Sequence, residues 1–422
     1  MHIKRLLFIL QIKDQPIMLK KSILFCVILS GFFLQTVSAQ INARMFRFPD
    51  VSENKIVFTY GGDLWVVDKD GGTANRLSSP AGTENMARFS PDGQQIAFTG
   101  NYGGNRDVYV ISTGGGVPER VTSHGGSDLL LDWHPKENKL LFSSARKSGR
   151  QRYRQLYTVS LDGGLPMKVA VSYGDLACFS PDGKKIAFNF NSRIYRTWKR
   201  YRGGMAPDIH VFDREAKKSL NISNTDANEE FPMWVGENIY YLSDRGEAKR
   251  FNIWMYNAST KKHKQLTHFK DFDVHFPSAG PSDIVFEAGG KLYLLDINSK
   301  EHKEVDVSVV TDQTSLLPQQ KNPSKQIEWA QVSPAGKRIV AEARGEIFSI
   351  PAEKGVTHNL TQTSGVAERY PVWAPNGEKV AWWSDKSGEY QLCLHDFQSG
   401  ETNTLTDFKK GFRYPVYWSP DS

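Results

Sequence analysis

The chain has 422 residues, with 53 Lys and Arg against 46 Asp and Glu, a formal charge of +7 and only 3 Cys. Residues 1–39 hold Lys4, Arg5, Lys13, Lys20 and Lys21 against Asp14 alone, so the remainder carries only +3, which argues against a nucleic-acid partner. Cys178 and Cys393 lie beyond that segment in strand-like contexts far apart, and read as small buried side chains, with no disulfide framework.

At the N-terminus, Lys20-Lys21 precedes the apolar run Ser22–Leu34 and the small-residue pattern Val37-Ser38-Ala39. Basic start, apolar stretch and small residues at the cut predict a secretory signal peptide over residues 1–39, removed before Gln40, with Met18 as an alternative start. The expected location is therefore exported and periplasmic. The rival reading is an uncleaved anchor, but the apolar run is shorter than the roughly 20 residues a spanning helix needs, so no stable membrane anchor is expected after cleavage.

From there the chain repeats itself. Phe89-Ser90-Pro91-Asp92-Gly93-Gln94-Gln95-Ile96-Ala97-Phe98 returns as Phe179-Ser180-Pro181-Asp182-Gly183-Lys184-Lys185-Ile186-Ala187-Phe188, with weaker copies at Trp133-His134-Pro135, Val332-Ser333-Pro334, Trp373-Ala374-Pro375 and Trp418-Ser419-Pro420. Pro presets φ and Gly accepts a positive φ, so each copy is a tight turn that opens a repeat. An alternating strand follows, then a strand of the type Asp63–Asp68, Asp107–Val110, Gln155–Val159, Asp208–Phe212, Asn252–Tyr256, Lys291–Asp296, Glu346–Ile350 and Gln391–His395. A hairpin with Gly-Gly or a polar pair leads to a last strand closing on Leu-Thr or a relative of it, as at Val121-Thr122, Leu266-Thr267 and Leu405-Thr406. Helical periodicity is absent after the leader. Short antiparallel strands repeating every 40–50 residues predict an all-β fold of four-stranded β-propeller blades.

The rhythm runs for six units over residues 40–310, breaks over the polar, proline-punctuated stretch 311–326, and resumes over 327–422. The expected organisation is a six-bladed β-propeller, a linker, and the first two to three blades of a second, incomplete β-propeller, so the chain reads as part of a longer protein. The alternative is a single eight-bladed ring.

Signatures of chemistry are missing. No His-Glu-x-x-His, Cys-x-x-Cys, Gly-x-Ser-x-Gly or phosphate-cradling Gly-rich loop occurs, and the histidines lack metal-ligand spacing, so catalytic residues, metal and cofactors are all expected to be none. The stretch that departs from the repeat is Tyr195–Gly204, which lengthens the fourth blade between its first two strands. Its Trp198, Lys199, Arg200, Tyr201 and Arg202 could grip a carboxylate or phosphate through bidentate and cation–π contacts, or pack on a neighbouring blade. A shorter basic loop, Arg146–Arg154, reads as a solvated hairpin.

With Asp63-Leu64-Trp65, Ala87-Arg88-Phe89-Ser90-Pro91-Asp92-Gly93 and above all Trp198-Lys199-Arg200-Tyr201-Arg202-Gly203-Gly204, the chain resembles the N-terminal half of tricorn proteases. That resemblance implies a six-bladed propeller, then a seven-bladed one, then PDZ and serine protease modules. It implies a serine peptidase whose propellers gate and guide peptides, with the C-terminal PDZ and protease modules as partners within a homo-oligomer; the leader, which predicts export, departs from the family's archaeal enzyme, which works in the cytoplasm. The family's catalytic residues fall beyond this sequence, so none carries over. Family members hold a peptide C-terminus with paired arginines near the third blade, whereas Ser123-His124-Gly125-Gly126-Ser127-Asp128 has none. Rival readings are a stand-alone TolB-like periplasmic binding scaffold and the propeller cap of a prolyl-oligopeptidase-type hydrolase.

Overall fold

A computed structural model describes residues 41–422 except 80, 149–152, 193, 195–200, 224, 312–319 and 422. The leader, Trp198, Lys199, Arg200 and the middle of the expected linker lie outside the described residues. Among those described there is no helix, and the chain falls into two compact units, Met1–Leu316 and Leu317–Ser422.

The first unit is a ring of six antiparallel blades, in each of which the strands follow one another from the axis outward. Blade one is Arg47–Val51, Lys55–Tyr60, Asp63–Asp68 and Gly72–Arg76; blade two is Glu84–Phe89, Gln95–Gly100, Asp107–Ser112 and Glu119–Arg120. Blade three is Asp128–Trp133, Lys139–Ser144, Gln155–Ser160 and Met167–Lys168; blade four is Ala177–Phe179, Lys185–Phe188, His210–Asp213 and Lys218–Asn221. Blade five is Glu229–Val235, Asn238–Ser243, Asn252–Asn257 and His263–Gln265; blade six is Val274–Ala279, Asp283–Ala288, Lys291–Asp296 and His302–Val305. The second unit holds two more such sheets, Ile327–Val332 through His358–Asn359 and Glu368–Trp373 through Thr402–Thr404.

The phase of the repeat differs from the sequence reading. The Ser-Pro-Asp-Gly turn does not open a blade; it joins the innermost strand to the second, so each blade begins some residues upstream. The hydroxyl explains the recurrence of Ser. Ser180 Oγ donates to Asp182 Oδ1 at 2.6 Å and accepts the Lys185 N–H at 2.8 Å, while Gly183 N–H donates to the Ser180 carbonyl at 2.8 Å. In consequence the Ser180 hydroxyl and the Lys184 N–H hold the exposed Asp182 carboxyl below its usual range.

The Leu-Thr pairs likewise follow the fourth strand and are not part of it. Their hydroxyls accept the first interior N–H of the third strand: Thr122 from Val108 at 2.9 Å, Ser223 from Ile209 at 2.9 Å, Thr267 from Ile253 at 2.9 Å and Thr406 from Leu392 at 2.9 Å. An N–H at a strand start would otherwise be buried without a partner.

Ring closure combines backbone and side-chain bonds. Val307–Val309 runs parallel to the outer strand of blade one, and Ile41–Asn42 pairs antiparallel with it, so both ends of the unit meet on that blade. Near the axis the innermost strand of blade one packs between those of blades six and two. Asp50 joins all three, accepting from the Ser278 hydroxyl of blade six and, at 2.7 Å, from the Phe89 N–H of blade two. Gly280 permits this approach, since a Cβ there would stand 2.3 Å from the Val51 carbonyl oxygen. Elsewhere Thr59 and Asn189 donate to the Glu84 and Glu229 carbonyls of the next blade at 3.1 and 2.7 Å.

The two ends of the basic loop of blade three, Arg146 and Arg154, are held against the blade, while residues 149–152 between them lie outside the described residues. Arg146 pairs with the fully buried Asp128 and lies 5.0 Å over the Phe142 ring, while Arg154 donates to the Ser127 carbonyl at 2.9 Å and to Ser143 Oγ at 3.0 Å. A guanidinium satisfied by a buried carboxylate and an aromatic face is part of the blade.

Replacing Asp50 by Ala strands the Phe89 N–H and the Ser278 hydroxyl, and is expected to cost about 3 kcal/mol of stability, read from the denaturant midpoint. Gly93 and Gly183 both sit at positive φ, +70° and +75°, but a Cβ at Gly183 would lie 2.5 Å from His134 Nε2, whereas at Gly93 nothing is nearer than 3.9 Å. Gly93→Ala should therefore lose about 1–2 kcal/mol from backbone strain alone, and Gly183→Ala at least about 1 kcal/mol more from the clash, by thermal unfolding.

Candidate functional site

Innermost strands decide what lies on the axis of the first unit. In five of the eight blades the strand is kinked by a bulge around a residue other than Gly at positive φ: Phe48 at 46°, Met86 at 55°, Phe231 at 56°, Phe276 at 49° and, in the second unit, Tyr370 at 56°. Four of these precede Pro, as Phe48-Pro49, Phe231-Pro232, Phe276-Pro277 and Tyr370-Pro371. Pro donates nothing to a ladder and is tolerated where a bulge has already broken it. This aromatic-Pro repeat was visible in the sequence and marks the strand that the turn-based reading missed.

In the first unit the bulged residues gather at one level. Phe48 and Phe276 have ring centroids 4.4 Å apart, and Phe231 and Phe276 6.3 Å apart. Phe48 and Met86 join one apolar cluster with Leu131, Leu176 and Phe231 from blades three to five, separate from the cores of their own blades. Towards the Ser-Pro-Asp-Gly turns a funnel of about 890 Å³ opens. Met86, Leu131, Leu176 and Phe231 line it, whereas Phe48 and Phe276 do not.

Above that floor each blade contributes the residue paired with the same position of its second strand: Asp50, Arg88, Asp132, Cys178, Met233 and Ser278. All six line the funnel. Asp132 accepts the Trp133 N–H at 2.9 Å and the Phe179 N–H of blade four at 2.8 Å, repeating the bond Asp50 makes to blade two. Arg88 donates to the Ala87 carbonyl at 2.8 Å, and its own carbonyl accepts the Trp133 indole N–H at 2.9 Å.

Burial pushes the Asp132 carboxyl up to about 7 against the pull of the Phe179 N–H and the Arg88 charge, and the nearby Asp50 adds to the rise. Asp50 is raised too, mainly by burial, although Arg88, Ser278 and Phe89 oppose it. Burial and the charge of Asp132 lift the Cys178 thiol well above its usual range, so this cysteine is not poised as a nucleophile. Among the described residues no three His, Cys, Asp or Glu side chains converge as metal ligands.

The residues singled out from sequence lie elsewhere. Tyr201 and Arg202, the described members of that set, belong to the connection between the second and third strands of blade four, not between its first two, and so leave the blade at the end opposite the funnel mouth. Arg202 Nη1 donates to the buried Asp244 Oδ2 of blade five at 2.9 Å, and the Tyr201 carbonyl accepts from Asn228 Nδ2 at 3.1 Å. This end of the insertion is tied to the neighbouring blade. The funnel residues escaped notice because their positions repeat while their identities do not.

A carboxyl whose folded pKa is raised is favoured in the folded state while protonated, so the native protein binds more protons than the unfolded chain between the ordinary Asp value of 3.8 and about 7. Stability relative to an Asp132→Asn variant should therefore fall as pH rises through that window and be level above it, measured by urea unfolding at stepped pH.

Residues 43–301 match the family described as the tricorn protease N-terminal beta propeller domain. Tricorn protease homolog 1 of Streptomyces coelicolor is 26% identical over 82% of this chain and 32% of its own length; tricorn protease of Thermoplasma volcanium is 25% identical over 85% and 34%. The crystal structure of the tricorn protease superposes with a TM-score of 0.62 at 21% identity, covering 86% of this chain and 36% of that one. The chain thus spans about a third of the length of the relatives it matches. With a family match over most of the first unit and the fold it requires, the chain belongs to the tricorn protease family, of which it is an N-terminal propeller part.

Proposed function

We propose that this chain is the non-catalytic, peptide-handling part of an exported tricorn-like serine peptidase. The observation that carries the reading is the family match over residues 43–301, which accounts for the ring except the outer strand of blade six and the two closing strands. In this reading the protease and PDZ modules act on peptides that the propellers admit or hold, and the subunits assemble as a homo-oligomer. The leader over residues 1–39 supports delivery to the periplasm.

The funnel supports a role in holding peptide. Its volume lies within the roughly 300–1,000 Å³ usual for ligand sites, and it combines an apolar floor with a few convergent polar groups. At the opposite end Tyr201 and Arg202 brace their end of the blade four insertion against blade five.

Protein recovered from a periplasmic fraction should begin at Gln40 by N-terminal sequencing. Incubated with short peptides carrying a photoreactive benzoylphenylalanine, it should form adducts on funnel residues such as Met86 and Met233, mapped by mass spectrometry. Adducts confined to residues 195–204 would move the peptide site to the insertion, and no adducts at all would remove peptide handling from this part of the protein.

A further inference from the structure

We propose that the outer hairpins of blades four and five form a basic rim that docks reversibly on an anionic phospholipid surface through Lys217, Lys218, Lys261, Lys262 and Lys264. The inference does not depend on the peptide-handling reading, since it concerns the outside of the ring and not its axis.

The first ground is charge. In every blade of the ring nine residues lead from the end of the third strand through the outer hairpin into the fourth strand. In blades one, two and three, over residues 68–76, 112–120 and 160–168, cations and acids balance, and in blade six, over residues 296–304, acids are in excess. In the adjacent blades four and five, over residues 213–221 and 257–265, six Lys and Arg stand against two acids, Asp213 and Glu215. Both acids are already matched from the second strand and its turn: Lys184 reaches Glu215 at 3.4 Å and Lys185 reaches Asp213 at 4.0 Å. The five hairpin lysines are exposed, and among the described residues none of them pairs with a carboxylate.

The second ground is the backbone. The hairpins of blades four, five and six, and that of the last sheet of the second unit, share one form, with the residue before the fourth strand's first pair at positive φ: Lys217 at 52°, Lys261 at 57°, Lys300 at 65° and Gly400 at 76°. Its N–H closes the turn, from Lys261 to the Asn257 carbonyl at 2.8 Å, from Lys300 to Asp296 at 3.0 Å and from Gly400 to Asp396 at 2.8 Å. A Cβ is crowded in this conformation, so Gly is its ordinary occupant and a long side chain held there points to a use. For Lys300 the use is internal, because its ammonium donates to the Tyr240 hydroxyl at 3.2 Å and lies 5.4 Å from the centre of that ring. Lys217 and Lys261 are exposed and make no such contact among the described residues.

The third ground is the kind of surface. Lys218 and Leu220 share one face of the outer strand of blade four, and Leu220 is 61% exposed. An apolar side chain among lysines suits the boundary between headgroups and acyl chains. Arg214, the one guanidinium of the two hairpins, is occupied by the Gly183 carbonyl at 2.6 Å, so no bidentate fork is left for a fixed carboxylate or phosphate. Flexible ammonium groups match mobile lipid phosphates, each adding about fivefold to binding near an anionic surface.

The test uses the processed chain, Gln40 to Ser422, which holds every strand described, and co-sedimentation with vesicles of phosphatidylglycerol and phosphatidylcholine in equal parts or of phosphatidylcholine alone. The protein is expected to pellet with the anionic vesicles only, and to be released at molar salt, where the screening length shrinks to about 3 Å. Lys261→Glu with Lys262→Glu should weaken binding at least about tenfold, whereas Lys168→Glu, exposed on the outer strand of blade three, should change it little by comparison. Lys217→Gly with Lys261→Gly should also weaken binding while leaving the unfolding midpoint level or raised, which separates loss of the surface from loss of the fold. Equal pelleting with neutral vesicles, or undiminished binding by the Lys261→Glu, Lys262→Glu variant, overturns the proposal. Binding of polyglutamate without binding of vesicles overturns the lipid assignment and gives the rim to an acidic protein partner.

Discussion

Everything in the first unit depends on how the innermost strand of one blade is bonded to the next. A four-stranded sheet this small is marginal by itself, and six of them become a domain only when each covers its neighbour's face and the last covers the first. Asp50 stands where that circle closes, holding blades six, one and two together through Ser278 and Phe89. Asp132 repeats the bond from blade three to blade four, and Gln331 makes it again in the second unit, accepting the Trp373 N–H at 2.6 Å. An acceptor is wanted at that position because the N–H it receives lies at the end of a strand with no ladder partner.

The same geometry has a second consequence. A side chain that reaches from the inner strand to the next blade stands on the wall of the axial space, so the ring's fastenings are also the polar groups of the funnel. Carboxylates were used at two of the six positions, and burial raises both of their pKa values. Structural bonds and the electrostatic character of the cavity are thus set by the same atoms. Below them the bulged strands turn Phe48, Met86, Phe231 and Phe276 into a common apolar layer.

The outer parts of each blade obey a simpler logic. Serine in the turn and threonine after the fourth strand each satisfy backbone N–H groups at strand ends, and buried acids at the start of several inner strands anchor the loop that follows the second strand of the same blade. Glu229 holds Arg245 at 2.7 Å, and Glu84 accepts the Tyr102 hydroxyl at 2.7 Å. Arg146, Arg154 and Arg202 belong to this class: their charges are matched by Asp128, Asp175 and Asp244.

The sequence by itself determined the repeat, the four-strand unit and the family, because turn chemistry and strand-end capping are local demands met by the same residue types each time: Ser90 and Ser180, Gly93 and Gly183, Thr122 and Thr267. It also contained the aromatic-Pro marks of the inner strands, at Phe48, Phe231, Phe276 and Tyr370. Only the tertiary structure decided where a blade begins, since the strand before each turn gains its meaning from the neighbour it packs against. Only the tertiary structure could assemble Asp50, Arg88, Asp132, Cys178, Met233 and Ser278, which lie about 40–55 residues apart in the chain and share no chemistry. What they share is a register position, and a register position becomes a site only when the ring brings six of them around one axis.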